Sequence, residues 1–176
     1  METTTHEDEI PAIAQARRRT HWLLLAILVA GAALRLYGLA EHSLWYDECA
    51  GLYRAQFVDT SGSLFVADNS DEPPVLAILL RGWNGMVRSI HDGPVTDPWN
   101  DFLIRLLPCL LGIATIAILF GLARRLLEDD TAALAAAFLY AISPFHIHYA
   151  QEVRIYALYV PLGLLAVWCM ARALED

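Results

Sequence analysis

Two acidic pairs stand out as the residues able to do chemistry. Asp47-Glu48 follows Leu44-Trp45-Tyr46 directly after an apolar run, and Asp71-Glu72 precedes Pro73-Pro74. A carboxylate in the first turn of a helix faces free backbone N–H groups and the positive end of the helix dipole, so it stays ionised, as a general base must be. The spacing suits a short helix beginning near Ser43, which gives Asp47 that position. Asp71-Glu72 suits helix capping equally well. Arg105 and Arg154 sit at the edges of apolar runs. His146-x-His148 is metal-like in type, but residues two apart on a helix point in different directions. Cys49, Cys109 and Cys169 have neither zinc spacing nor an even count.

The elements that must position these residues are set by the apolar runs. The chain has 176 residues, 57% of them hydrophobic and 18% charged, with a net charge of −8. A soluble domain is nearer half apolar and a quarter charged, and the negative balance excludes a nucleic-acid binder working through bulk positive charge. A bilayer core takes roughly 20 helical residues. The runs predict an all-α membrane protein with about four transmembrane helices, at 21–40, 105–123, 131–149 and 155–172. They are joined by an outer loop at 41–104, a cytoplasmic loop at 124–130 and an outer turn at 150–154, with a cytoplasmic tail at 1–20 and a cytoplasmic end at 173–176. Arg35 interrupts the first run and is expected to snorkel toward the interface. Arg17-Arg18-Arg19 before that run also fits a signal peptide, with the same downstream orientation.

Charge then sets orientation. Arg17 to Arg19, Arg124-Arg125 and Arg172 flank the runs, and the positive-inside rule puts all three groups in the cytoplasm and 41–104 outside. Within that outer segment, Val75, Leu76, Leu79, Leu80, Trp83, Met86, Val87 and Ile90 fall on one helical face, with Arg81, Asn84 and Arg88 opposite. This is a helix lying on the membrane rather than crossing it. Trp45, Cys49, Leu52, Tyr53 and Phe57 predict a second amphipathic helix. Residues 91–100, including Trp99, read as a turn-rich loop.

The stretches LRLYGLAEHSLWYDECAGLYRAQ, DEPPVLAILLRGW, RLLPCLLGIATIAILFGLARRLL and SPFHIHYAQEVRIYAL occur in this order. Together, over roughly Leu34 to Ala171, they resemble the amino-terminal part of membrane glycosyltransferases of the GT-C fold. The nearest group is the protein O-mannosyltransferases and aminoarabinose transferases of families 39 and 83. The resemblance implies a partial GT-C architecture with two juxtamembrane helices in the first outer loop. It implies a hexosyl- or pentosyltransferase that takes sugar from a polyprenyl-phosphate carrier and passes it to a protein, lipid or polysaccharide acceptor on the outer side of the cell membrane.

By match, Asp47 is the catalytic base and Glu48 its acidic neighbour, while Arg105, Gln151, Glu152, Arg154 and Tyr156 belong to the substrate-binding set. Ahead of the paired prolines, where some relatives have lysine or histidine near the carrier phosphate, this chain has Glu72. Relatives have about a dozen spans, so the resemblance implies either a fragment or a partner chain supplying the others. No cofactor is called for, since the carrier phosphate is an activated leaving group, and use of a divalent metal stays open. Two other readings of the residues are a non-catalytic membrane protein that binds polyprenyl phosphate or assists assembly, and a plain four-span protein.

Overall fold

The computed structural model describes residues 6–57, 74–91 and 98–175, with side chains left aside at 6–14, 56–57, 74 and 98–99. Asp71-Glu72 and most of the loop at 91–100 therefore lie outside the described residues, as does the Trp99 side chain. Every regular element described is helical: α1 (His6–Leu36), α2 (Tyr46–Phe57), α3 (Pro74–Ile90), α4 (Pro98–Leu127), α5 (Asp130–Ile142), α6 (Pro144–Ala150) and α7 (Tyr156–Ala173). Among the described residues, three helices are long and apolar enough to cross a membrane, at Gln15–Leu36, Asn100–Leu127 and Tyr156–Ala173. A fourth crossing requires α5 and α6 together, which are bent by 61°.

α4 is the central helix, packing against α1, α5 and α7. Small residues allow the close approach that membrane helices need in place of a hydrophobic driving force. Ala133, Ala137 and Ala141 line the buried face of α5 against Ile116 and Phe120 of α4. At Gly112 a Cβ would lie 2.6 Å from the Ala150 methyl and 3.3 Å from Arg35 Nε. Gly112→Ala therefore forces α4 and α6 apart. The expected cost is about 1–3 kcal/mol, seen as a lower thermal midpoint in detergent; an unchanged midpoint would contradict this packing.

α1, α4, the α5–α6 pair and α7 run alternately up and down. At one end Thr20 Oγ1 donates to Asp130 Oδ2 at 3.0 Å, Arg124 Nε pairs with Asp130 Oδ1 at 2.6 Å, and Arg125 pairs with Glu175. The arginine groups flanking the apolar runs at 17–19, 124–125 and 172 thus lie toward the same end of the bundle. The other end carries the segment after α1, the first turns of α4 and the segment before α7.

Arg35 departs from the expectation of snorkelling: it is fully buried inside the bundle. The cause is the break between α5 and α6. Pro144 has no N–H to give the Tyr140 carbonyl, which keeps only a long bond from the Ser143 N–H at 3.4 Å where α5 ends. Arg35 supplements the weakened helix end, Nη1 donating to Ala141 O at 3.0 Å and Nη2 to Tyr140 O at 3.3 Å, with Nη1 also reaching Gly31 O at 3.0 Å. Its carbon lies 5.5 Å from the centre of the Tyr140 ring, a cation–π distance. Broken backbone at membrane depth is tolerated when protein groups re-satisfy it, and Arg35 supplies that service.

Residues 37–40 form a turn after α1 in which Gly38 takes φ +70°, the left-handed conformation that glycine adopts without a Cβ penalty. α2 and α3 then pack on one another. In α3, Leu76, Leu80 and Val87 are buried, whereas Val75, Leu79, Met86 and Ile90 on the same broad face are exposed. Trp83 Nε1 donates to Leu103 O of α4 at 2.8 Å. In α2 the buried face differs from the expected one. Trp45, Cys49 and Tyr53 are exposed, and Glu48, Gly51 and Ala55 face inward. Ala55 joins Leu76, Leu80, Val153, Ile155 and Leu158 in a core cluster. Burial in α2 follows its polar anchor, Glu48, rather than its aromatic stripe.

Candidate functional site

α2 begins with a local hydrogen bond that its sequence dictates. Glu48 stands three residues after Trp45, the residue before the helix, and its Oε2 accepts the Trp45 N–H at 2.9 Å, the acidic half of a capping box. That bond turns the Glu48 side chain back toward the helix start, where Arg105 from α4 meets it. Arg105 Nε donates to Glu48 Oε1 at 3.2 Å and Nη2 to Oε2 at 2.8 Å, a bidentate fork. The remaining donors reach Leu39 O at 3.1 Å, His42 O at 2.6 Å and Ser43 O at 3.3 Å. All five guanidinium N–H groups are thereby engaged within the chain. Glu48 Oε1 also accepts the backbone N–H of Val153 at 2.9 Å, which ties the turn before α7 to α2. Glu48 and Arg105 are 1% and 5% exposed.

Burial alone would raise the Glu48 carboxyl above its ordinary value, but the bonds from Arg105, Val153 and Trp45 together outweigh it and hold the group below that value. A depressed acid contributes stability that is complete above the unfolded value, about 4.3 for glutamate, and is lost as pH falls through the folded one. The thermal midpoint in detergent is therefore expected to hold from pH 7 to about 5 and to drop below about 4. Glu48→Gln should begin lower and lose less over that range; the same acid sensitivity in wild type and variant would assign it to another group.

With α2 and the 151–155 turn joined through Glu48, the next residue of each partner comes into contact. Asp47 Oδ2 pairs with Arg154 Nη2, and the carboxylate stays half open to solvent, 56% exposed against 28% for Arg154. Gln151 Nε2 donates to Arg35 O at 3.0 Å and Tyr37 O at 2.8 Å, clamping the same turn to the end of α1. Glu152 turns outward to His148, Oε1 to Nε2 at 3.3 Å. Tyr156 packs edge-on to Tyr149 with ring centres 4.9 Å apart. His146 stacks on Tyr140 at 4.2 Å instead of joining His148. Among the described residues no group of three or more His, Cys, Asp or Glu side chains could hold a metal ion.

The seven residues singled out from the sequence thus fall into one neighbourhood in three layers. Glu48 and Arg105 are inside, Asp47 and Arg154 open to solvent above them, and Gln151, Glu152 and Tyr156 surround the turn. Sequence reasoning missed the Val153 N–H as a partner of Glu48, and Arg35 as the group that holds the broken helix. The Val153 contact leaves no trace in residue type, because a backbone donor is common to every residue but proline. Arg35 did leave one: an arginine within a spanning run, followed in the chain by a run broken at Ser143-Pro144.

The arrangement is that of a helical membrane protein with an acid–base cluster at one end of its bundle. Residues 95–176 match the model of a family described as dolichyl-phosphate-mannose-protein mannosyltransferase. That match covers somewhat less than half of the chain and takes in Arg105, Gln151, Glu152, Arg154 and Tyr156, while Asp47 and Glu48 lie before it. Neither the curated proteins nor the solved structures yielded a match.

Proposed function

We propose that these residues form the catalytic loop and its supporting spans in an integral membrane glycosyltransferase of the GT-C type, which moves a sugar from a polyprenyl-phosphate donor to an acceptor on the non-cytoplasmic face. The observation that carries the reading is the contact of Asp47 with Arg154, an open carboxylate beside a guanidinium, held by a buried Glu48–Arg105 pair. The outward orientation rests on the arginine groups gathered toward the opposite end of the bundle.

Asp47 is the general base. The acceptor O–H or N–H attacks the anomeric carbon, its proton passes to the Asp47 carboxylate, and the bond from that carbon to the phosphate oxygen breaks with its electron pair leaving on polyprenyl phosphate. Direct displacement inverts the anomeric centre and requires one base. Arg154 exchanges Asp47 for the departing phosphate, whose two oxygens suit its paired donors. Glu48 and Arg105, with their hydrogen-bonding capacity engaged inside the chain, act as positioning residues rather than as groups touching substrate. Gln151, Glu152 and Tyr156 shape the substrate-binding turn around Arg154.

The test is sugar transfer from a polyprenyl-phosphate donor in membranes by the Asp47→Asn variant. Loss of transfer with insertion retained is expected; transfer at the wild-type rate would end the assignment.

A further inference from the structure

A cavity of about 190 Å³ opens at the break between α5 and α6 and the start of α7. Tyr140, Phe145, His146, Tyr149, Tyr156 and Tyr159 form most of its wall. Their rings touch in series: Tyr140 on His146 at 4.2 Å, Phe145 on Tyr149 at 4.6 Å, Tyr149 on Tyr156 at 4.9 Å and Tyr156 on Tyr159 at 6.3 Å. No Asp, Glu or Arg lines it. Ala157, on its wall, donates its N–H to the carbonyl of Arg154 at 3.3 Å, so the cavity lies within one helical turn of the Asp47–Arg154 pair.

We propose that this cavity is a binding subsite for the sugar ring. Size is the first reason: a cavity of about 150 Å³ takes one benzene ring, so this one fits a single substituted six-membered ring. The second is that no lining side chain is an acid or an arginine, and the nearest guanidinium, Arg35, turns its Nη donors away to the carbonyls of Gly31, Tyr140 and Ala141. The third is the wall itself. Aromatic faces suit the C–H face of a pyranose, and phenols and an imidazole suit its hydroxyls. Tyr156 and Tyr159 are 42% and 50% exposed, so their phenols are open to the hydroxyls of an entering ring. A hydrocarbon chain offers those phenols no partner, whereas a sugar ring does. The inference rests on the transferase reading for the choice of a sugar over another hydroxylated ring.

The experiment is saturation-transfer NMR on the protein in a detergent without a sugar headgroup, with methyl α-mannopyranoside and, separately, farnesol as probes. Irradiating the aromatic protons is expected to transfer saturation to the mannoside ring. Ala157→Met, which fills the cavity, is expected to weaken mannoside binding at least ten-fold. Tyr156→Phe with Tyr159→Phe, which keeps the rings and the packing, should weaken it at least three-fold and leave farnesol unaffected. Farnesol binding without mannoside binding, binding of neither, or mannoside binding indifferent to all three substitutions would overturn the proposal. Asp47→Asn should bind the mannoside as wild type does. Transfer that survives Asp47→Asn while the mannoside still occupies the cavity would sink the base assignment and leave the subsite standing.

Discussion

Arg105→Ala is expected to cost about 3–5 kcal/mol of stability, the usual penalty for removing one partner of a buried ion pair. Two losses combine. Glu48 keeps its charge in a site that is 1% exposed, now held only by the N–H groups of Trp45 and Val153. The carbonyls of Leu39, His42 and Ser43 also lose their donors, so the turn between α1 and α2 loses its attachment to α4. At roughly 2–4 °C per kcal/mol for a chain of this length, the midpoint in detergent should fall by about 10 °C. Glu48→Ala should do similar damage by stranding the guanidinium. The pair Glu48→Leu with Arg105→Met should recover much of the loss, because an apolar replacement of both partners leaves no uncompensated charge. A double-mutant cycle with coupling below about 0.5 kcal/mol, or a shift of less than 2 °C for Arg105→Ala, would show that this pair does not hold the loop.

Asp47→Asn has the largest expected effect on activity. Asparagine keeps the size and leaves the helix start intact, but it cannot take a proton, and loss of a positioned general base costs about 10²–10⁴-fold in rate. Because Asp47 is 56% exposed and paired only at the surface, the same change should leave stability within about 0.5 kcal/mol of wild type. That contrast separates the two adjacent acids: Asp47 variants are expected to be stable and inactive, Glu48 variants unstable. A destabilised Asp47→Asn protein, or a Glu48→Gln protein with full stability and no activity, would reverse the roles. Arg154→Gln is expected to weaken use of the phosphate-linked donor while sparing the fold, and a rate equal to wild type would remove Arg154 from the phosphate contact.

Much of the architecture is legible in the residue order because membrane helices announce themselves locally. A run of about 20 apolar residues can satisfy its backbone only as a helix in lipid, and α1, α4 and α7 follow from composition alone. α3 was equally readable from its three- and four-residue spacing. The bent α5–α6 pair was less so: Pro144 marks a break, but whether it kinks or folds the span back depends on who satisfies the released carbonyls, and that group, Arg35, lies more than a hundred residues earlier. The aromatic stripe of α2 misled for a related reason. A short helix buries whichever face its strongest anchor pulls inward, and here the anchor is a carboxylate.

The order of residues by itself determined the all-helical membrane class and the apolar runs, since these depend on solvation and charge that a residue carries wherever it goes. The seven residues worth testing came from the resemblance to GT-C glycosyltransferases. Only the tertiary structure decided how those residues divide. It buried Glu48 against Arg105, left Asp47 open beside Arg154, and enclosed six aromatic rings around one cavity. Side-chain partners are chosen by distance in space, and neighbours such as Asp47 and Glu48, a hundred degrees apart on a helix, meet different surroundings.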